Sequence, residues 1–239
     1  MRSEVTETTG ASTIRAPRAP LSRERVLRTA VEVADRSGID AVSMRKLGQE
    51  LGVEAMALYR HVRSKDEILD GIVEVIVGEI EVPHEAVDWK AALQQLIMAA
   101  RVVMLRHPWA PRVIVDRAEV GPALLAHIDA VLGILFSGGF SVELAHHALH
   151  VLGSRVLGFT QDPFDDSSPD RPSPEEAARM AQVFAVNFPS VGVLAGAVTH
   201  DGALGGCDDD AEFAFGLDLI LDGLERRRGP AGRGKTPSG

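Results

Sequence analysis

Apolar residues recur at three- and four-residue intervals along nearly the whole chain and never settle into the two-residue alternation of a strand. That rhythm predicts an all-α protein of about nine or ten helices. The first runs from Ser22, which can cap it, to Gly38, with Glu24 in its positive first turn, Leu21 stapled onto Val26, and Val26, Ala30, Val33 and Ala34 on one face. The stretch SMRKLGQELGVEAMALYRHVRSK (residues 43–65) reads as two short helices around a tight turn. Ser43 caps a helix whose apolar face is Met44, Leu47 and Leu51, and Gly52 supplies a left-handed stop. The second helix, roughly residues 55–62, keeps Leu58 and Val62 for packing and leaves Ala55, Met56, Tyr59, Arg60 and His61 at outward or rim positions. This is the sequence form of a helix-turn-helix, whose second helix can enter the major groove of DNA. Ser64 and Glu67 then stand at capping-box spacing before a long amphipathic helix carrying Ile68, Leu69, Ile72, Val73, Val75, Ile76 and Ile80.

Beyond Trp89 the helical period continues. Leu93, Leu96, Ile97, Ala100, Val103 and Met104 form a face that stops before Pro108, and Leu124, Leu125, Ile128, Val131, Leu132, Leu135 and Phe136 form another, ended by Gly138-Gly139. A further helix spans residues 142–159. Residues 162–174 make an acidic, proline-rich loop, and Pro174-Glu175-Glu176 restarts a helix with carboxylates at its positive end. Pro189 breaks the next segment, a Gly- and Asp-rich connector follows over residues 199–210, and the last helix carries Phe213, Leu217, Ile220, Leu221 and Leu224.

Charge changes the picture more than composition does. The chain is acidic overall, at −9, which argues against an indiscriminate nucleic-acid coat. Residues 21–65, however, hold nine Lys/Arg against six Asp/Glu, so the acidic excess lies in the remainder. A mildly basic head on an acidic body suits a protein that offers one end to phosphates. Cys207 is the single cysteine, so no intrachain disulfide forms, and neither a signal peptide nor a membrane-length apolar run is present. A cytoplasmic location is expected. Residues 1–20 and 229–239, rich in small, Pro and basic residues, read as a disordered arm and tail.

The run LSRERVLRTAVEVADRSGIDAVSMRKLGQELGVEAMALYRHVRSKDEIL resembles the three-helix DNA-binding domain of the tetracycline-repressor (TetR) family of bacterial transcription regulators, and LYRHV followed by Ser64-Lys65 has that family's recognition-helix ending. The resemblance covers about the first third of the chain. It implies a helix-turn-helix domain over residues 21–66 and a helical effector-binding and dimerisation domain over residues 67–228. It places Arg45 where a guanidinium can reach a base edge, Tyr59, His61, Lys65 and Ser43 at phosphates, and Arg60 at either. Ala55, Met56 and Ala57, at the start of the recognition helix, cannot donate hydrogen bonds from their side chains, so readout there would use thymine methyls or groove shape. The resemblance also implies a dimeric four-helix bundle built from the helices near residues 141–160 and 211–227, where Ala145, Ala148, Gly153 and Gly158 would let partner backbones approach. A single short recognition helix reads few bases, and twofold symmetry would let a homodimer read a palindromic operator in double-stranded DNA.

An effector pocket is implied within residues 89–160, with Met98, Arg101, Met104, Trp109, His127, Phe136 and Phe159 as candidate lining residues for an unidentified small molecule. A tetracycline–magnesium complex is not expected, because residues 112–115 read Arg-Val-Ile-Val where that ligand's metal-binding histidine would stand. His146 and His150 share a helical face four residues apart, yet the glutamate of a zinc-protease motif is missing, and Asp208-Asp209-Asp210 lacks the glycine and glutamate of a calcium loop. No metal or cofactor is expected. No nucleophile-elbow, Walker or dinucleotide-binding motif occurs, so an enzyme is not expected either. A ligand-responsive repressor is the leading expectation. An activator or ligand-independent regulator with the same head is the alternative, and a helical small-molecule-binding protein or enzyme without DNA function the remote one.

Overall fold

A computed structural model describes residues 20–83, 88–117, 119–158, 173–198 and 209–228. Among these residues the chain is all helical, with eleven α-helices and one 3-10 turn. The two tails, Phe159, the acidic loop up to residue 172, and residues 199–208 of the connector lie outside the described residues.

Local signals set the first four helices. Helix α1 (Arg23–Ser37), α2 (Met44–Leu51) and α4 (Lys65–Val77) each start at a serine whose Oγ accepts the backbone N–H three residues on: Ser22 from Arg25, Ser43 from Lys46 and Ser64 from Glu67. Each bond satisfies one of the unpaired donors at a helix start. Gly52 ends α2 at φ 67°, a left-handed conformation that a Cβ resists. Helix α3 (Ala55–Leu58) is shorter than the sequence suggests. After Leu58 the chain tightens into turns, with the N–H of Arg60 donating to Ala57 O and that of His61 to Leu58 O. The tightening brings Val62 into the core beside Leu58, both fully buried, and still frees Ser64 to begin α4.

The body comprises α5 (Trp89–Arg106), α6 (Ala110–Asp116), α7 (Pro122–Ser137), α8 (Val142–Gly158), α9 (Pro174–Asn187), α10 (Pro189–Val198) and α11 (Asp209–Arg228). The count exceeds the expected nine or ten. Pro111 stands in the first turn of α6, where a missing N–H costs nothing, and starts a short helix between the two apolar faces read from the sequence. Helix α4 also ends earlier than its apolar pattern, because Gly78 closes it and Ile80 lies in the turn that follows.

Two apolar cores result. The first joins α1, α2, α3 and α4 to the end of α5 and to α6, from Val26 through Ile68, Ile72 and Ile76 to Met104 and Val113. The second joins α5, α7, α8 and α11 around Leu93, Leu135, Leu152, Phe213 and Leu217. Two guanidiniums lie over the Phe213 ring, with Arg101 4.4 Å and Arg155 4.6 Å from its centre. Ala145 and Ala148 are fully buried in this second core. Their small size therefore serves the packing of α8 on its own chain, contrary to the expectation that they face a partner.

Candidate nucleic-acid interface and effector cavity

The crossing of α2 on α3 depends on Gly48. A Cβ there would lie 2.8 Å from the carbonyl oxygen of Val53 and 3.2 Å from the nitrogen of Ala55, and Gly48 O accepts the N–H of Val53 at 2.9 Å. Backbone meets backbone, so a side chain at this position would force the turn to shift. Nothing in the linear pattern distinguishes Gly48 from a tolerated helix glycine.

This crossing presents one face to solvent. Arg45, Met56, Tyr59, Arg60 and Lys65 are exposed, Ala55, Ala57 and His61 half-buried, and Ser43 exposed at the N-terminus of α2. The basic side chains of the head divide into two groups. Lys46 and Arg36 are engaged by Glu50, at 2.9 and 3.3 Å, and Lys46 holds the Glu50 carboxyl below its usual range. Arg63 donates to Glu67 from both its backbone N–H and its Nε, and those bonds lower the Glu67 carboxyl. Arg45, Arg60 and Lys65 make no ion pair among the described residues. Lys65 is the first residue of α4, where the helix dipole disfavours a cation but a bound phosphate would favour both. Met56, 74% exposed, offers an apolar tip suited to a thymine methyl.

We predict that Arg45→Ala and Lys65→Ala weaken DNA binding differently. Loss of a base contact at Arg45 costs about 1–3 kcal/mol and relaxes preference at one base pair, whereas loss of a phosphate contact at Lys65 weakens all sequences alike and reduces the salt slope by about 1. Anisotropy titrations across a salt series on matched and single-substituted duplexes measure both.

Head and body meet through polar bonds that the sequence does not advertise. Asp35 of α1 accepts the Trp109 indole N–H at 2.7 Å and shares a 2.8 Å hydrogen bond with His107 Nδ1. Arg106 donates to Glu79 at 2.8 Å. Arg117 lies 3.1 Å from Asp70 of α4. Glu74 of α4 accepts the N–H of Ala123 at 2.8 Å, placing a carboxylate at the positive end of α7.

Between α4, α5, α6, α7 and α8 lies a cavity of about 230 Å³. Val77 and Ile80 line it from α4 and its following turn, Ile97, Ala100 and Met104 from α5, and Ile114 from α6. Leu124, His127, Ile128 and Val131 contribute from α7, and Leu149, Leu152, Gly153, Val156 and Leu157 from α8. Of the candidate ligand residues, Met104 and His127 reach it. Burial pushes the His127 imidazole below its ordinary value, which favours the neutral ring. The other described candidates sit elsewhere. Arg101 is buried against Phe213 and paired with Asp210 at 2.9 Å, and Trp109 is bound to Asp35. Met98 packs against the second core, Phe136 is half-exposed on α7, and Phe159 is outside the described residues. His146 and His150 stand edge to face on the exposed side of α8, ring centres 4.6 Å apart, and among the described residues no cluster of three metal-ligating side chains forms.

A basic head joined through α4 to a helical body with an apolar cavity defines a helix-turn-helix DNA-binding regulator. Residues 26–72 match the bacterial regulatory proteins of the tetR family, and residues 82–228 match the tetracyclin repressor-like C-terminal domain. The chain belongs to the TetR family of transcriptional regulators. It is 30% identical to the HTH-type transcriptional repressor DrrR1 of Streptomyces coeruleorubidus over 92% of this chain and 85% of that one. It is 27% identical to the class C tetracycline repressor protein of Escherichia coli, over 87% and 92%. The crystal structure of the TetR family protein ActR of Streptomyces coelicolor in complex with actinorhodin superposes with a TM-score of 0.70 at 30% identity, covering 89% of this chain and all of that one.

Proposed function

We propose that this chain is a repressor that binds a palindromic operator as a homodimer, through Ser43, Arg45, Ala55, Met56, Ala57, Tyr59, Arg60, His61 and Lys65, and leaves it when a small molecule fills the cavity. The observation that carries this reading is the double role of α4. Its residues Ile68, Ile72 and Ile76 share a core with α1, while Val77, one turn below Glu74, forms a wall of the cavity. An occupant that displaces Val77 acts on the helix that carries the reading head. A coupling of about 1–3 kcal/mol between the two sites would change operator occupancy from several-fold to about a hundredfold.

Dimerisation is supported by large apolar side chains exposed on α8 and α11: Val142, Val151, Phe215 and Leu219. Their helices pack side by side and present these residues away from the second core. Relatedness to a transcriptional repressor and to a regulator crystallised with actinorhodin supports repression and small-molecule binding. No helix among the described residues is long and apolar enough to cross a membrane, and we place the protein with its DNA in the cytoplasm.

The test is a titration of the purified chain against the DNA flanking its own gene, paired with a reporter driven by that DNA. Tight binding that shows steep salt dependence, with reporter output rising when the gene is deleted, is the expected result. Reporter output that falls on deletion would make the protein an activator. Binding no tighter than to random duplex would remove the reading.

A further inference from the structure

We infer that the cavity is a receptor for an uncharged compound of one or two fused rings carrying a single hydrogen-bonding group, with His127 as the residue that recognises that group. The inference rests on the cavity being the effector site of the proposed repressor, and it names the class of effector.

Chemistry of the wall comes first. Fourteen of the fifteen lining residues are apolar, and His127 is the exception among the described residues. An ionised ligand would shed its water there without meeting a counter-charge among the described lining residues, a transfer that buried charges avoid unless paired. Arg101, the buried cation on α5, is turned away from the cavity and held over Phe213 with Asp210. Among the described lining residues a chelated metal would find one imidazole and no carboxylate.

Size sets the second limit. A dry apolar cavity of about 150 Å³ takes up benzene, so about 230 Å³ gives room for a second fused ring. Gly153 of α8 borders the same space, and a Cβ placed on it meets no atom within 4 Å. A flat ring can therefore lie along this part of α8, with the polarisable Met104 thioether on another wall.

Polarity then fixes orientation. A neutral imidazole presents one N–H donor and one bare nitrogen, so it pairs with a hydroxyl or a carbonyl. No hydrogen bond to the His127 ring exists among the described residues, and the half-buried ring can pair with a group placed in the cavity.

The experiment is calorimetry on the full chain with 2-naphthol and with 2-naphthoate, two probes of matched ring size that differ in charge at neutral pH. Expected are saturable binding of 2-naphthol at one per chain and binding of 2-naphthoate at least about tenfold weaker. His127→Phe keeps an aromatic ring but removes the hydrogen bond, and should weaken 2-naphthol about tenfold. Gly153→Leu fills open space and removes a helix-weakening glycine, so it should abolish binding without lowering the melting temperature. Absence of saturable 2-naphthol binding, equal or tighter binding of 2-naphthoate, or a Gly153→Leu protein that still binds would each overturn the assignment. Operator affinity of the unliganded protein is measured in parallel. Loss of operator binding with the expected probe preference would defeat the repressor reading alone, and intact operator binding with the reverse preference would defeat the cavity assignment alone.

Discussion

Asp at both Phe215 and Leu219 produces a folded monomer whose operator affinity has dropped by about a thousandfold or more. The two side chains stand four residues apart on α11 and are 63% and 55% exposed, while Phe213, Leu217 and Leu221 on the opposite side of that helix are fully buried. The substitutions therefore leave the second core untouched. In a symmetric dimer each apolar side chain is buried twice, at about 1.5–3 kcal/mol per Phe or Leu fully removed from water. Carboxylates in their place meet their own symmetry mates and must be desolvated besides. A monomer reads one half-site. Specific affinities of about 10⁻⁸–10⁻¹¹ M come from both halves of a site, and halving that free energy costs more than three powers of ten. Analytical ultracentrifugation gives the mass, circular dichroism the fold and anisotropy the affinity. A variant that remains dimeric, or a monomer that binds undiminished, contradicts the assignment of the α8–α11 face.

Gly48→Ala should be the most damaging methyl group that can be added to the head. Propensity alone predicts the opposite, because alanine in a helix interior is about 0.8–1.0 kcal/mol better than glycine. Sterics win here, since the new Cβ would meet two backbone atoms of the turn, the Val53 oxygen and the Ala55 nitrogen, and neither can rotate away. Overpacking costs about 1–3 kcal/mol. At about 2–4 °C per kcal/mol for a chain of this size, the melting temperature falls by several degrees. Operator affinity falls further than stability does, because opening the α2–α3 angle re-aims Arg45 and Met56 relative to one another. Gly153→Ala is the matched control, with open space around its Cβ, and should melt at the same temperature or higher. A Gly48→Ala protein that gains stability and binds DNA as before would show that the close approach has no consequence.

These two sites also mark what a linear reading can and cannot reach. The all-α class and the serine caps at Ser22, Ser43 and Ser64 were legible because each depends on residues within one helical turn of one another. The left-handed stop at Gly52 was legible for the same reason. Gly48 was not, because its partner atoms belong to a turn whose approach only the folded head creates. The bonds from Asp35 to His107 and Trp109, and from Glu74 to the start of α7, join residues far apart in sequence and leave no periodic trace. Arg101 illustrates a subtler limit. Helical spacing sets it among the inward residues of α5, yet which inward direction it takes, toward Phe213 and away from the cavity, is decided by α11. The cavity itself is a mismatch among the volumes of side chains on five elements. Periodicity tells which residues face inward, but not which of them face a void.

Hydroxyl-radical footprinting of the DNA beside the protein's own gene tests most directly that the paired helix-turn-helix heads read an operator. Two protected patches on one face of the duplex, centred about 10–10.5 base pairs or a multiple of that apart and both needing more protein to appear with Arg45→Ala, are the predicted result. No protection at low salt, or a single patch unaffected by Arg45→Ala and Lys65→Ala, would contradict it.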